Sequence, residues 1–414
     1  MSITLQYNPS NYADLSKLIG DVSYSKEKHI NVKKYEHSYV LKYDKLELTD
    51  ENVHSLGLFR SIIVDEDGNI LSFAPPKSVN LDVFTQTTNY DECSVQHFPE
   101  GTMVNVFFDK ITDEWEIATR STIGAKCNFN ADSTNTYRYM FLDAMNHGGI
   151  EFEHLNKLFC YSFVLQHPQN RIVCPVLEPT LVLTNCYQID SENMITEHKN
   201  PGTDLNMHFS ISQLSHHYMK DEVFAKSLNY NGSSWQELIE HFQSENLDYG
   251  LQGIVIYNQK GERTKIRNST YEKIKHLKGN SPKLQYNYYY LRQTGDVKEY
   301  LTYYPEHKVE FSSFRRELHK WTNQLYQNYI KCFIKKQKPL VDYPYNFKTH
   351  MYKIHELYLN DLKLDGKFVN KNIVINYVNT LPPPRLMYSV NHIKKQYDKD
   401  QKTLSSDLKV IMKT

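Results

Sequence analysis

Two cations two residues apart, Lys265 and Arg267, follow the run Gly253-Ile254-Val255-Ile256-Tyr257 across a short turn. In an extended strand, residues at that spacing share one face. Paired cations beside a glycine, where backbone can approach a ligand closely, suit a phosphate group. Arg60 stands among apolar neighbours in Leu58-Phe59-Arg60-Ser61-Ile62-Ile63, so it needs a partner, either an anion or a buried acid. Lys77, between Pro76 and Ser78, reads equally well as a phosphate contact or as ordinary surface charge. Arg171 reads as a structural hydrogen-bond donor. Other chemistry is missing. His216-His217, Asp65 with Asp67, and the six cysteines lack metal-ligand spacing. No glycine-rich loop ends in Lys-Ser/Thr. Cysteines without a Cys-x-x-Cys pair indicate a reduced, cytoplasmic chain with no zinc, so no metal site is expected.

The elements that must position these residues fall into two classes. The first 280 residues are punctuated by β-type runs, among them Ser61-Ile62-Ile63-Val64, Met103-Val104-Asn105-Val106-Phe107-Phe108 and Leu181-Val182-Leu183. Turn signals such as Asp65-Glu66-Asp67-Gly68-Asn69 and Asn258-Gln259-Lys260-Gly261 follow them, which predicts hairpins and antiparallel sheets. Helices are expected near 134–147, 211–227 and 233–245. Asn280-Ser281-Pro282-Lys283 marks a boundary between a domain 1–280 and a domain 281–414. Long helices are expected over 311–336 and 347–363, with Leu381-Pro382-Pro383-Pro384-Arg385 breaking the chain before a last one. The fold class is α+β, an antiparallel-sheet domain followed by a mainly helical one.

Composition adds a polarity. The chain has 414 residues, 40% hydrophobic and 23% charged, enough apolar material to exclude wholesale disorder. Net charge is zero, yet residues 281–414 hold 23 Lys+Arg against 12 Asp+Glu and carry 16 of the 32 tyrosines. A basic, tyrosine-rich domain suits a polyanion. An AT-rich genome, which accumulates Lys and Tyr codons, would give the same numbers. Arg315, Arg316, Lys335, Lys336 and the run Tyr288-Tyr289-Tyr290 are the candidates for backbone and stacking contacts, with burial of the tyrosines as the alternative. No apolar run of membrane-spanning length occurs, and the N-terminus does not read as a secretory signal.

A longer series of segments carries a resemblance. Leu58-Phe59-Arg60-Ser61-Ile62-Ile63-Val64-Asp65 and Ser72-Phe73-Ala74-Pro75-Pro76-Lys77-Ser78-Val79-Asn80-Leu81 come first. Phe98-Pro99-Glu100-Gly101-Thr102 and Trp115-Glu116-Ile117-Ala118-Thr119-Arg120-Ser121 follow. Phe163-Val164-Leu165-Gln166 with Asn170-Arg171-Ile172-Val173, then Leu251-Gln252-Gly253-Ile254-Val255 with Thr264-Lys265-Ile266-Arg267, complete the order. The series resembles the ATP-dependent RNA ligases of the bacteriophage tRNA-repair type, in the covalent nucleotidyltransferase superfamily. The resemblance implies an ATP-grasp-like RNA/DNA ligase domain over 1–280. The family often carries a helical C-terminal domain that recognises tRNA, and residues 281–414 are similar to it only in length, basicity and helical pattern.

The family's chemistry begins with a lysine amine that attacks the α-phosphate of ATP, and that position is Phe98 here. The carboxylates expected to touch ribose and Mg²⁺ are replaced by Val164 and Gln252; the acid after the lysine is Glu100, followed by Gly101. The family's basic positions persist as Arg60, Lys77, Arg120, Lys265 and Arg267. Bond-breaking parts are thus absent and phosphate-holding parts are kept. The expectation is a degenerate member, a pseudo-ligase that binds RNA, another nucleic acid or nucleotide phosphates, with no cofactor. One alternative is an active ligase with a relocated nucleophile, at His97, Lys77 or Lys110, which would use ATP and Mg²⁺. Another is a structural or assembly protein with protein partners in a virion or a polymerase complex, keeping only the fold. A viral source and no membrane partner complete the expectations.

Overall fold

The computed structural model describes residues 5–129, 135–198, 234–244 and 246–392. The helix expected over 211–227 and the pair His216-His217 lie outside them. The chain divides into two compact units, Met1–Lys275 and His276–Thr414.

Strands of the first unit, among the described residues, are β1 (Leu5–Tyr7), β2 (Ile30–Lys34), β3 (Ser38–Tyr43), β4 (Ile62–Asp65), β5 (Ile70–Phe73), β6 (Ser94–His97), β7 (Thr102–Asp109), β8 (Glu114–Thr119), β9 (Phe159–Gln166), β10 (Thr180–Ile189), β11 (Ile195–Glu197), β12 (Gly253–Tyr257) and β13 (Arg263–Arg267). They form three antiparallel sheets, ordered β1-β11-β10-β9-β7-β8, β13-β12-β6 and β2-β3-β4-β5. Local chemistry sets the turns. The Asp65 Oδ1 accepts from the amides of Asp67 and Asn69, and Gly68 takes φ +86° to close the β4–β5 hairpin. The Asn258 Oδ1 accepts from the amides of Lys260 and Glu262 in the same way, which sets the register of β12 against β13.

The sheets are packed by helices and by one another. Helix Tyr137–His147, capped by Thr136, lays Met140, Phe141, Ala144 and Met145 over Val104, Val106 and Phe163 of the large sheet. Leu15, Leu18, Phe59 and Tyr187 close over Val40, Leu41, Ile62 and Ile63. Phe84, Leu238 and Phe242, from helices Leu81–Thr87 and Trp235–Gln243, pack on Ile254, Ile256 and Ile266. This last core aims the cations. Thr264 and Ile266 of β13 are buried toward it, so strand alternation turns Arg263, Lys265 and Arg267 the other way.

The second unit is helical: Leu284–Thr294, Val297–Tyr303, Lys308–Tyr329, Tyr345–Leu357, Lys371–Asn379 and helical backbone over 383–392. The helices expected at 311–336 and 347–363 both end in a turn of wider, π-type winding, at Ile330–Ile334 and Tyr358–Leu362. The tyrosine run divides by helix geometry. Tyr288 and Tyr289 are buried, which removes them as stacking platforms, while Tyr290 is 51% exposed. Arg315, Arg316, Lys335 and Lys336 are exposed. The architecture is α+β, and among the described residues no helix is long and apolar enough to cross a membrane.

Candidate functional site

A cavity of about 200 Å³ lies between the three-stranded sheet and the β7–β9 part of the large sheet. Phe98, Val164 and Gln252 all line it. These are the three positions where the resemblance expects a lysine and two carboxylates, and tertiary structure brings them together from three different strands or strand ends. Two glycines make the wall possible. Gly101 has φ +152°, and a Cβ there would stand 2.4 Å from the Leu165 carbonyl oxygen. Gly253 has φ +143°, and its Cβ would meet the Ile266 carbonyl oxygen at 2.2 Å. Neither space nor backbone admits a side chain at either place.

Arg60, Arg263 and Lys265 supply the cavity's charge. The Lys265 Nζ lies 4.4 Å from the centre of the Phe98 ring. Burial, and then the fields of Arg263, Arg60, Arg267 and Lys77, push the Lys265 ammonium down to about 6. Arg60 donates from Nη1 to the Pro75 carbonyl at 3.3 Å. Burial first, then Arg263 and Arg120, lower it to about 10, so it stays charged at neutral pH. Arg263 donates from Nη2 to the Pro76 carbonyl at 2.7 Å. Burial opposes its charge, but Tyr257, Tyr187 and Glu197 outweigh that and raise its pKa. Among the described residues, none of these three cations has a carboxylate within 4 Å. No aspartate or glutamate lines the cavity. That donor set suits an anion. It does not suit Mg²⁺ or Mn²⁺, which require oxygen ligands and usually a carboxylate. Among the described residues, no three His, Cys, Asp or Glu side chains gather into a metal-binding cluster.

The remaining expected residues are dispersed. Lys77 lines an adjoining cavity of about 190 Å³ that shares Pro75, Tyr257 and Arg263 with the first. Its Nζ donates to the Ser78 carbonyl, and burial followed by Arg60 and Arg263 lowers its pKa. Arg120 stands behind Arg60, donating from Nε to the Arg60 carbonyl at 3.2 Å. Arg267 is drawn into an ion pair with Glu272 at 2.9 Å, away from the cavity. Glu100 is a correction: its carboxylate accepts from the backbone amides of Val173 and Cys174 and does not line the cavity. Neighbouring Gly101, with no side chain, lines the wall there. His97 lines the cavity, whereas Lys110 is exposed in the β7–β8 turn. Arg171 donates from Nε and Nη2 to the Val173 carbonyl, a loop-holding contact.

Sequence reasoning passed over Arg263, although it is the innermost cation of β13. The signal was present: positions 263, 265 and 267 repeat at the strand period, and the same argument that pairs Lys265 with Arg267 extends one step back.

No family model matches the chain. Over 101 residues, 22% of this chain, it is 29% identical to an RNA ligase of Rhodothermus phage RM378. Among solved structures, an archaeal ATP-dependent RNA ligase is similar at 13% identity and a TM-score of 0.37, covering 72% of this chain and 70% of that one. A putative ATP-dependent DNA ligase from Aquifex aeolicus is similar at 12% identity and a TM-score of 0.37, covering 83% and 80%. A Naegleria gruberi RNA ligase mutant with ATP and Mn has 11% identity and a TM-score of 0.31, over 49% and 58%. The match to the phage RNA ligase spans 22% of that protein's length.

Proposed function

We propose that this chain is an RNA-ligase-like protein that grips the phosphate of a nucleotide or of an RNA end and forms no covalent nucleotidyl intermediate. The observation that carries the reading is the cavity wall: Arg60, Arg263 and Lys265 converge with no carboxylate, around a phenylalanine. Two arginines offer forked donors that match phosphate oxygens. Lys265, starved of solvent and of counter-charge, regains its proton when an anion arrives. A benzyl ring has no lone pair with which to attack phosphorus, and the wall lacks the acids that would hold a divalent cation or orient a ribose. The sequence match to a phage RNA ligase supports the substrate class.

The test is incubation with α-labelled ATP or GTP and Mg²⁺, followed by a denaturing gel, beside calorimetric titration with AMP and with a phosphorylated RNA end. Binding without a labelled band is expected. Absence of binding to either ligand overturns the proposal. One observation favours a second reading: Lys265 is an amine held neutral at pH 7 inside the cavity, the state a nucleophile requires. A labelled band that Lys265→Ala abolishes would establish an active nucleotidyltransferase in its place.

A further inference from the structure

The cavity of about 190 Å³ that adjoins the first is built differently. One wall is the β1-β11-β10 edge of the large sheet. Tyr187 pairs directly with Glu197, and Asn185 precedes Tyr187 by two. Leu5, two residues before Tyr7, also pairs with Glu197. Register therefore puts the side chains of Tyr7, Asn185, Tyr187 and Glu197 on one sheet face, and all four line the cavity. Another wall comes from β13 and the segment after β5, with Arg263 and Lys77.

The polar groups of these walls are left incomplete. The Glu197 carboxylate accepts from the Tyr7 hydroxyl at 2.7 Å and from Asn185 Nδ2 at 2.9 Å, one donor on each oxygen, with lone pairs to spare. Among the described residues no cation lies within 4 Å of it. The cavity's other carboxylate, Glu262, is taken up by His54 at 3.3 Å and by the Asn258 side-chain amide. The Tyr187 hydroxyl and the Asn185 Oδ1 have no hydrogen-bond partner, although Tyr187 is 0% exposed and Asn185 7%. Burial, then Glu197 and Tyr7, raise the Tyr187 pKa, and Arg263 opposes them, so the hydroxyl lies within the fields of the cavity's charged groups. The Arg263 Nε is unpartnered as well, its Nη2 being spent on the Pro75 and Pro76 carbonyls. Buried polar groups without partners are costly and rare, and three on the walls of one cavity call for an occupant.

The chemistry of that occupant follows from the walls. Glu197, the Asn185 Oδ1 and the Tyr187 oxygen offer three acceptors on one face, and an ammonium group brings three donors and no acceptor. Arg263 and Lys77 make the other wall positive, which repels a second cation on the occupant and attracts an acid. The volume is below the roughly 300–1,000 Å³ of sites that enclose drug-sized ligands, which suits a small molecule. We propose that this cavity binds a zwitterion of the α-amino-acid class, with its ammonium on Glu197, Asn185 and Tyr187 and its carboxylate on Arg263 and Lys77. The proposal is independent of the phosphate-binding reading of the neighbouring cavity.

The experiment heats the full chain alone and with each of the common α-amino acids at about 10 mM. At least one is expected to raise the unfolding midpoint by about 2 °C or more, and calorimetry then gives its Kd. The α-hydroxy acid with the same side chain lacks the ammonium, and the amino-acid amide lacks the carboxylate. Each should bind at least about tenfold more weakly. Tyr187→Phe removes only the unpartnered hydroxyl. Without ligand it should unfold at no lower temperature than the unaltered protein, and its affinity should fall about fivefold or more. Glu197→Gln should lose about tenfold or more. A protein whose midpoint no amino acid moves overturns the proposal. So does a hydroxy acid or an amide that binds as well as the amino acid, or a Tyr187→Phe variant that keeps full affinity. A Tyr187→Phe variant that unfolds early without ligand shows that the hydroxyl already has a partner, and it overturns the proposal too. If Glu197→Gln does not fold, Tyr187→Phe carries the comparison alone.

Discussion

Replacing Lys265 by methionine should make the protein more stable and worse at binding anions. Lys265 titrates near 6 in the folded chain against 10.5 for a free lysine, because burial and the fields of Arg263 and Arg60 disfavour its proton. Between those two values the unfolded chain holds a proton here that the folded chain does not. Stability therefore rises with pH across that window, by about 1.4 kcal/mol per unit from this one group. At pH 7 the unfolded state is favoured by roughly 3.5 units of that slope, a ceiling of about 5 kcal/mol. Methionine keeps the apolar stem and removes the titrating group, so Lys265→Met should gain stability at pH 7, and the gain should shrink to nothing as pH approaches 10.5. The assay is chemical denaturation of both proteins at several pH values, with the difference taken at each so that other titrating groups cancel. Sulfate, a dianion throughout this range, supplies the second arm. It should raise the unfolding temperature of the unaltered protein and do so less for Lys265→Met. A variant no more stable at pH 7, or with an unchanged pH slope, would show that Lys265 keeps its charge in the folded chain, and the crowded-cation account of the cavity would fail.

Other consequences are open to direct measurement. Arg60→Gln should weaken AMP binding about tenfold or more, the loss of a charged hydrogen bond of about 1.5–3 kcal/mol, read by calorimetry with the fold checked by circular dichroism. Glu100→Gln should cost about 1–3 kcal/mol of stability, because two backbone amides lose a charged acceptor, while AMP affinity stays the same; a selective loss of affinity would return Glu100 to the site. Gly253→Ala should lose at least about 1–3 kcal/mol from backbone strain alone, with the clash at the Ile266 carbonyl added, and a variant of normal denaturation midpoint would refute the close approach. In the helical unit, buried His350 bonds Tyr377 and Ser389, and burial lowers its pKa to about 4. Its contribution is complete above pH 6.5 and lost as pH falls through 4. His350→Gln should therefore flatten the acid limb of the stability curve between those values, by up to about 3 kcal/mol in total.

Much of the scaffold was legible along the chain. Asp65 and Gly68, or Asn258 and Gly261, announce their hairpins because a turn is a matter of four or five adjacent residues. The alternation of Thr264 and Ile266 with Arg263, Lys265 and Arg267 declares a two-faced strand for the same reason. The absence of an amine at position 98 is likewise a property of one residue, and no fold supplies a lone pair to a benzyl group. Three-dimensional packing decided the rest. Phe98, Val164, Gln252 and Lys265 meet only because two sheets face each other across the cavity. Glu100 and Gly101 are adjacent in the chain, yet the glycine lines the wall and the acid turns to the amides of Val173 and Cys174. Arg60 and Arg120, sixty residues apart in the chain, become neighbours through one hydrogen bond from the Arg120 Nε to the Arg60 carbonyl. The charge state of Lys265 lies furthest from sequence. Desolvation and Coulomb fields sum over every neighbour in space, so an amine that looks like a plain cation in the chain has its charged form disfavoured once buried among arginines.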